Sequence, residues 1–132
     1  MAEAIMNGEL IKRGVTDAHA ESCGVMAFSL SPANEYAKNA VMQYGVSLEA
    51  HSARRISADI LKGAIVLCME KSISDYVKAL FPGEAVFDLC SYASVPGRIS
   101  DPYGMDQDTY DACAEKIRMC IVKILQKEEE SK

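Results

Sequence analysis

The run Ala64-Ile65-Val66-Leu67-Cys68-Met69 contains no polar residue and no apolar–polar alternation. A strand with one wet face would alternate, so an unbroken run suits a strand covered on both faces. Helical patterns stand on either side of it. Upstream, Ser31-Pro32 reads as an N-cap followed by a first helical residue, with Tyr36, Ala40, Val41 and Tyr44 on the apolar side and Gly45 as the stop. Ser57 caps a short helix through Leu61. Downstream, Ser72 caps a helix carrying Ile73, Val77 and Leu80, which Pro82-Gly83 ends. Ala85 to Leu89 reads as another strand, and Ser91 to Gly104 as a polar loop. Asp106 or Asp108 caps a last helix whose stripe is Tyr110, Cys113, Ile117, Cys120, Ile121, Ile124 and Leu125. The chain opens with a helix from Ala2 to about Lys12, ending at Gly14, and a short strand follows at about Ala18 to Cys23.

Strands separated by helices imply an α/β fold: a doubly wound parallel sheet with helices on both faces. Such folds bind ligands beyond the carboxyl ends of their strands. This architecture normally opens with a strand, and the loop from that strand into the first helix can hold an anion on its backbone N–H groups. The sequence begins at the helix, so the expected first strand and anion loop are missing from it.

The 132 residues fit a single domain, 1–132, and a 49% hydrophobic content excludes global disorder. The net charge is −5, with no basic patch beyond Arg54-Arg55, which argues against a nucleic-acid partner. The longest apolar run, Gly63 to Met69, falls far short of the roughly 20 residues of a membrane helix. Residues 1–10, MAEAIMNGEL, show no basic region followed by a hydrophobic stretch, so a signal peptide, export or a membrane is not expected. Glu128-Glu129-Glu130 reads as a frayed, solvated helix end. Five cysteines with no C-x-x-C spacing read as reduced thiols in the cytoplasm. Cys68, Cys113 and Cys120 look like small core residues, as do Met6, Met26, Met42 and Met69. Cys23 and Cys90 fall at strand ends without an adjoining basic residue to activate them. With only His19 and His51, a histidine metal cluster is not expected, and no cofactor is implied.

The order of motifs resembles the low-molecular-weight protein tyrosine phosphatase family along nearly the whole chain. Met1-Ala2-Glu3-Ala4 resembles the segment just after that family's C-x5-R-S-P loop. Ala20-Glu21-Ser22-Cys23-Gly24 resembles its second strand, His51-Ser52-Ala53-Arg54 its H-x-[AS]-R motif, Val66-Leu67-Cys68-Met69 its third strand, and Asp101-Pro102-Tyr103-Gly104 its D-P-[YF] loop. The resemblance implies a metal-free phosphatase acting on phosphorylated protein. A cysteine thiolate attacks phosphorus, a loop arginine holds the oxygens, and an aspartate protonates the leaving atom and then activates water.

Both the cysteine and the arginine would lie ahead of residue 1. No C-x5-R occurs in the sequence; Cys113-x4-Arg118 is one residue short and in mid-helix. The expectation is therefore a native protein with roughly 15 to 20 further residues, enough for one strand and one loop. The 132 residues alone would be inactive, and could self-associate through the exposed sheet. The alternative is a catalytically dead remnant or phosphoprotein-binding module. An arsenate reductase of the same fold would need a second cysteine close to Cys90.

By resemblance, Asp101 is the candidate general acid and base; the bland reading is a residue that starts an Asp-Pro turn. Tyr103 resembles the aromatic wall of the substrate pocket, or is a half-packed turn tyrosine. Ser22 and His51 match positions that support the phosphate loop through hydrogen bonds; otherwise they are a strand-end serine and an exposed histidine. Arg54 either ties its loop to a neighbouring carboxylate or carbonyl, or is solvated. Gly104 leans weakly toward the arginine-phosphatase branch, leaving phosphotyrosine and phosphoarginine both open.

Overall fold

The computed structural model describes residues 1–24, 34–48 and 54–130. In chain order the elements are α1 (Ala2–Lys12), α2 (Glu35–Met42), α3 (Ala58–Leu61), β1 (Ile65–Cys68), α4 (Lys71–Leu80), β2 (Ala85–Asp88), α5 (Leu89–Ala93) and α6 (Gln107–Glu130). β1 and β2 pair in parallel, with Ile65 opposite Ala85 and Cys68 opposite Asp88, and α4 makes the crossover that parallel pairing requires.

Successive strand residues point to opposite faces, and the two faces have separate cores. Val66 and Cys68 meet Val86 of β2, Leu61 of α3 and Val77 of α4. Leu67 and Met69 face a larger core built from α1, α2, α5 and α6, including Ile5, Val41, Leu89, Ala114 and Ile121. This is the expected α/β arrangement, helices on both faces of a parallel sheet. Cover is incomplete at the strand's beginning, where Ile65 is 59% exposed.

Helix α6 is the spine. Asp106, the first of the two sequence candidates, starts it: its Oδ1 accepts from the Thr109 N–H at 3.0 Å and from the Thr109 hydroxyl at 2.7 Å. The stripe read from the sequence is buried except Cys113, which is half-buried. α1 crosses the same core through Ile5 and Leu10. Gly8 admits Val46 there, because a Cβ at Gly8 would collide with Val46 Cγ1. Glu9, only 7% exposed, faces Arg118 Nε and Arg13 Nε, each at 3.6 Å. Arg118 also lies over the Tyr44 ring, 5.2 Å from its centroid.

Several local expectations change. α2 begins at Glu35, where Asn34 caps the Tyr36 N–H at 2.7 Å; Ser31 and Pro32 lie outside the described residues. α4 starts at Lys71 rather than after Ser72, because the Glu70 carbonyl already accepts from Ile73 and Ser74. The Ser91–Gly104 loop contains the end of α5, which exists because the Asp88 carboxylate accepts from the Ser91 N–H. Cys90 is therefore a buried helical residue, with its Sγ 3.9 Å from that of Cys120. Leu80 and Met42 are exposed, not core residues; Met26 lies outside the described residues. The acidic tail is not a frayed end, since α6 continues through Glu130 and Glu129 Oε1 accepts from Arg13 Nη1 at 2.6 Å.

A methyl group at Gly8 should raise helix propensity and still destabilise the fold. Gly8→Ala is expected to cost about 1–3 kcal/mol in urea unfolding through overpacking. In a Val46→Ala background the same change becomes a gain of up to about 1 kcal/mol. Burial pushes the Cys68 and Cys120 thiols up to about 11, above the ordinary 9.0. Between pH 9 and 11 the unfolded chain loses protons that the folded chain keeps, so stability falls as pH rises. The thermal midpoint should drop across that window, and less steeply in Cys120→Ala.

Candidate active site

Helix α1 presents its leading end without a side-chain cap; the Met1 carbonyl accepts from the Ile5 N–H at 3.1 Å. Its first turn carries Glu3, whose Oε1 accepts from the Ser22 N–H at 2.7 Å and from the Ser22 hydroxyl at 3.1 Å. Arg54 closes this cluster. Its Nη2 donates to the Ser22 carbonyl at 3.1 Å and lies 3.7 Å from Glu3 Oε1, while Nη1 lies 3.8 Å from Glu21. One turn along α1, the Asn7 amide accepts from the Ala20 N–H at 2.7 Å and donates to the Ala20 carbonyl at 3.0 Å.

These bonds replace the strand expected at Ala18–Cys23. That segment runs beside α1 with its backbone groups satisfied by Asn7 and Glu3 side chains. Strand-like pairing begins only at Gly24, which bridges Arg55 in parallel: the Gly24 N–H donates to Arg54 and the Ile56 N–H donates back to Gly24. Arg54 also reaches Cys23, a basic neighbour absent from the local sequence. Burial pushes the Cys23 thiol up, and Arg54 only partly offsets this.

Asp101 stands exposed on the loop between α5 and α6. The loop is held from below by buried Val95, Ile99 and Pro102. Ser94 turns out of α5 in the left-handed region, and the Val95 N–H donates to the Cys90 carbonyl at 2.8 Å. Lys116 Nζ donates to the Arg98 carbonyl at 2.8 Å. At the tip, Asp101 Oδ1 accepts from the Tyr103 N–H at 3.0 Å, and the Pro102 carbonyl accepts from the Met105 N–H at 2.9 Å. Gly104 takes φ +80°, a conformation that favours glycine. The Asp-Pro turn therefore forms. Tyr103 is 81% exposed beside it.

Cys113 links this loop to α1. Its Sγ donates to the Ser100 carbonyl at 3.8 Å. Burial pushes the thiol up, and Asp101 adds to the rise. Cys113 and Met1 both pack against the core that contains Val95 and Ile99 of this loop. Ser22 joins the same helix end through Glu3, and His51 lies outside the described residues. Two surface grooves among the described residues lie elsewhere. Openings of about 370 and 270 Å³ sit at the carboxyl ends of β1 and β2, lined by Lys71, Asp88 and Ser91, and neither includes Asp101 or Tyr103.

Sequence reading missed Glu3 and Asn7. Their signal was two polar residues one turn apart on a helix otherwise made mainly of apolar and small residues.

The family described as low molecular weight phosphotyrosine protein phosphatase matches residues 1–132, and the chain belongs to it. The probable low molecular weight protein-tyrosine-phosphatase AmsI of Erwinia amylovora is 29% identical over 107 residues, covering 78% of this chain and 73% of that protein. The crystal structure of a low molecular weight protein tyrosine phosphatase from T. tengcongensis superposes with a TM-score of 0.88 at 31% identity, covering 96% of this chain and 88% of that one. The YwlE arginine phosphatase of Geobacillus stearothermophilus shares the fold, with a TM-score of 0.86 at 21% identity over 98% of this chain and 86% of that one.

Removing the Glu3 carboxylate leaves the Ser22 N–H without that acceptor. Glu3→Ala is expected to lower unfolding free energy by about 1–3 kcal/mol in urea titration. Hydrogen exchange at the Ser22 amide should rise by at least as large a factor as the global change implies.

Proposed function

We propose that this domain hydrolyses phosphorylated protein side chains, phosphotyrosine or phosphoarginine, through a cysteinyl-phosphate. The observation that carries the reading is that Val95 and Ile99 of the Asp101 loop and Met1 at the leading end of α1 pack on one core, with Cys113 Sγ bonded to the Ser100 carbonyl. A helix N-terminus favours an anion through its N–H groups and dipole. Phosphate held there would have its leaving atom within the reach of an acid on the facing loop.

In this reading a loop contributed ahead of Met1 supplies the thiolate and an arginine. The sulfur attacks phosphorus as the P–O or P–N bond to the side chain breaks. Asp101 gives its proton to the departing oxygen or nitrogen. The resulting carboxylate then takes a proton from water, whose oxygen displaces sulfur and releases phosphate. Tyr103 packs against the substrate side chain, and Ser22 and His51 steady the loop, Ser22 through Glu3.

A remnant that binds without turnover is the second reading. It is favoured by the lack of a C-x5-R sequence within the 132 residues. Cys113 and Arg118 do not substitute, because both lie on α6 and Arg118 is engaged by Glu9 and Tyr44. An arsenate reductase is disfavoured by Cys90, which is fully buried against Cys120. Free thiols at all five cysteines suit the cytoplasm. Among the described residues no helix is long and apolar enough to cross a membrane.

The test is a phosphatase assay on the 132-residue chain beside one extended through the upstream in-frame codons. Activity is expected in the extended chain only, with the short chain self-associating in size-exclusion chromatography. Asp101→Asn in the extended chain should lower kcat about 10²-fold or more. Turnover by the 132 residues alone would sink the proposal; inactivity of both chains would support the remnant.

A further inference from the structure

Strand β2 lies at the edge of the sheet; among the described residues it pairs with β1 alone. Alternate peptide groups of a strand point to opposite edges. Those of Ala85–Asp88 that point away from β1 meet no other backbone partner among the described residues. Edge strands are commonly blunted by a lysine, a proline or a bulge. Ala85-Val86-Phe87-Asp88 has no lysine or proline, and its register against β1 is unbroken.

This edge lies in a groove. The opening of about 370 Å³ is walled on one side by α4, through Lys71, Asp75 and Lys78, and on the other by Phe87 and by Tyr92 of α5. The two walls differ in chemistry. Lys71 Nζ lies 3.0 Å from Asp75 Oδ2, which leaves Lys78 as the cation of that wall with no ion pair among the described residues. Opposite, the Phe87 and Tyr92 rings lie 5.0 Å apart, inclined at 48°, and Phe87 is 41% exposed. At the carboxyl end of β2 the groove continues. The second opening, of about 270 Å³, shares Lys71, Asp88 and Ser91 with the first and reaches Gly97 and Arg98. Arg98 precedes Asp101 by three residues, at most about 11 Å of chain.

We infer that this edge docks the substrate protein: an extended segment beside the phosphorylated residue adds to β2 as a further strand, with an acidic side chain on Lys78 and an apolar one on the Phe87 and Tyr92 rings. In strand addition the main-chain bonds supply affinity and alternate side chains supply specificity. Successive residues of the added strand face opposite walls, so an acidic–apolar alternation suits both. A second copy fits the groove less well, because its own β2 stands between the same two helices and must come within about 4.8 Å. The identity of the occupant rests on the phosphatase reading: the groove ends on the loop that carries Asp101, within a few residues of the reacting group.

The test uses the full chain with every in-frame residue that its gene encodes, and a peptide of about ten residues alternating glutamate and valine. By NMR, hydrogen exchange at outward-facing amides within Ala85–Asp88 should slow at least about fivefold at saturating peptide. Lys78→Glu should raise the peptide's Kd about tenfold, and so should replacing its glutamates by lysine. When the same peptide carries phosphotyrosine or phosphoarginine at either end, Lys78→Glu should raise KM about tenfold, with kcat within about twofold and the kinetics of p-nitrophenyl phosphate unchanged. No binding, binding that leaves those amides exchanging freely, a Kd unmoved by Lys78→Glu, or an equal loss for p-nitrophenyl phosphate overturns the inference. So does protection of the same amides on raising the protein's own concentration, which would put a second copy on the edge. If no phosphate is released from any substrate, the phosphatase reading fails separately, and the exchange experiment still decides whether β2 docks an acidic strand.

Discussion

Helix α1 is covered along nearly its whole length, with only Ile11 and Lys12 exposed at its end. A helix in that position constrains everything around it. Its apolar residues, Ile5 and Leu10, join the core shared with α6, and Gly8 lets Val46 approach. Its polar residues must find partners in a low-dielectric setting, because an unpaired buried carboxylate or amide is costly. Glu9 finds Arg118 and Arg13, Asn7 finds the backbone of Ala20, and Glu3 finds Ser22 and Arg54. Each of these contacts also locates another segment. Docking α1 on α6 therefore sets the path of residues 15–24 and the point where Gly24 meets Arg55.

The same docking brings the site together. The loop after α5 is seated by buried Val95, Ile99 and Pro102 rather than by regular secondary structure. Polar anchors from α6 then fix its course: Lys116 on the Arg98 carbonyl and Cys113 on the Ser100 carbonyl. With both α1 and this loop packed on α6, Met1 at the helix's leading end and Ile99 of the loop share one core. The aromatic residues follow the same logic. Tyr103 belongs to the loop, Tyr110 to α6 and Tyr36 to α2, and Gln107 joins the last two elements.

Much of this was legible in the residues. The apolar run at Ala64–Met69, the Pro82-Gly83 stop and the Ala85 strand lead to a parallel pair with a helical crossover, and that pair forms. The stripe of α6 and its Asp106 cap were likewise readable, because both depend on spacing within a single element. Readings failed where a residue's fate depended on a distant partner. Ala18–Cys23 has a plausible strand composition, yet its backbone bonds go to side chains of α1. Glu128–Glu130 reads as a frayed, solvated end; it is solvent-exposed, but it stays helical with Arg13 beside Glu129. The short helix α5 was hidden because its cap, Asp88, also ends a strand.

By itself the sequence determined the kinds and order of elements, the faces they bury, and an Asp-Pro-Tyr-Gly turn of defined chemistry. Hydrophobic periodicity, capping and turn preference are local properties, set by residues within a few positions of one another. Only the tertiary structure decided which polar groups would meet: Glu3 with Ser22, Glu9 with Arg118, Gln107 with Tyr36, and Cys113 with the Ser100 carbonyl. Those pairings arise from how helices cross in a shared core, where desolvation makes each buried polar group take the partner that packing brings within reach.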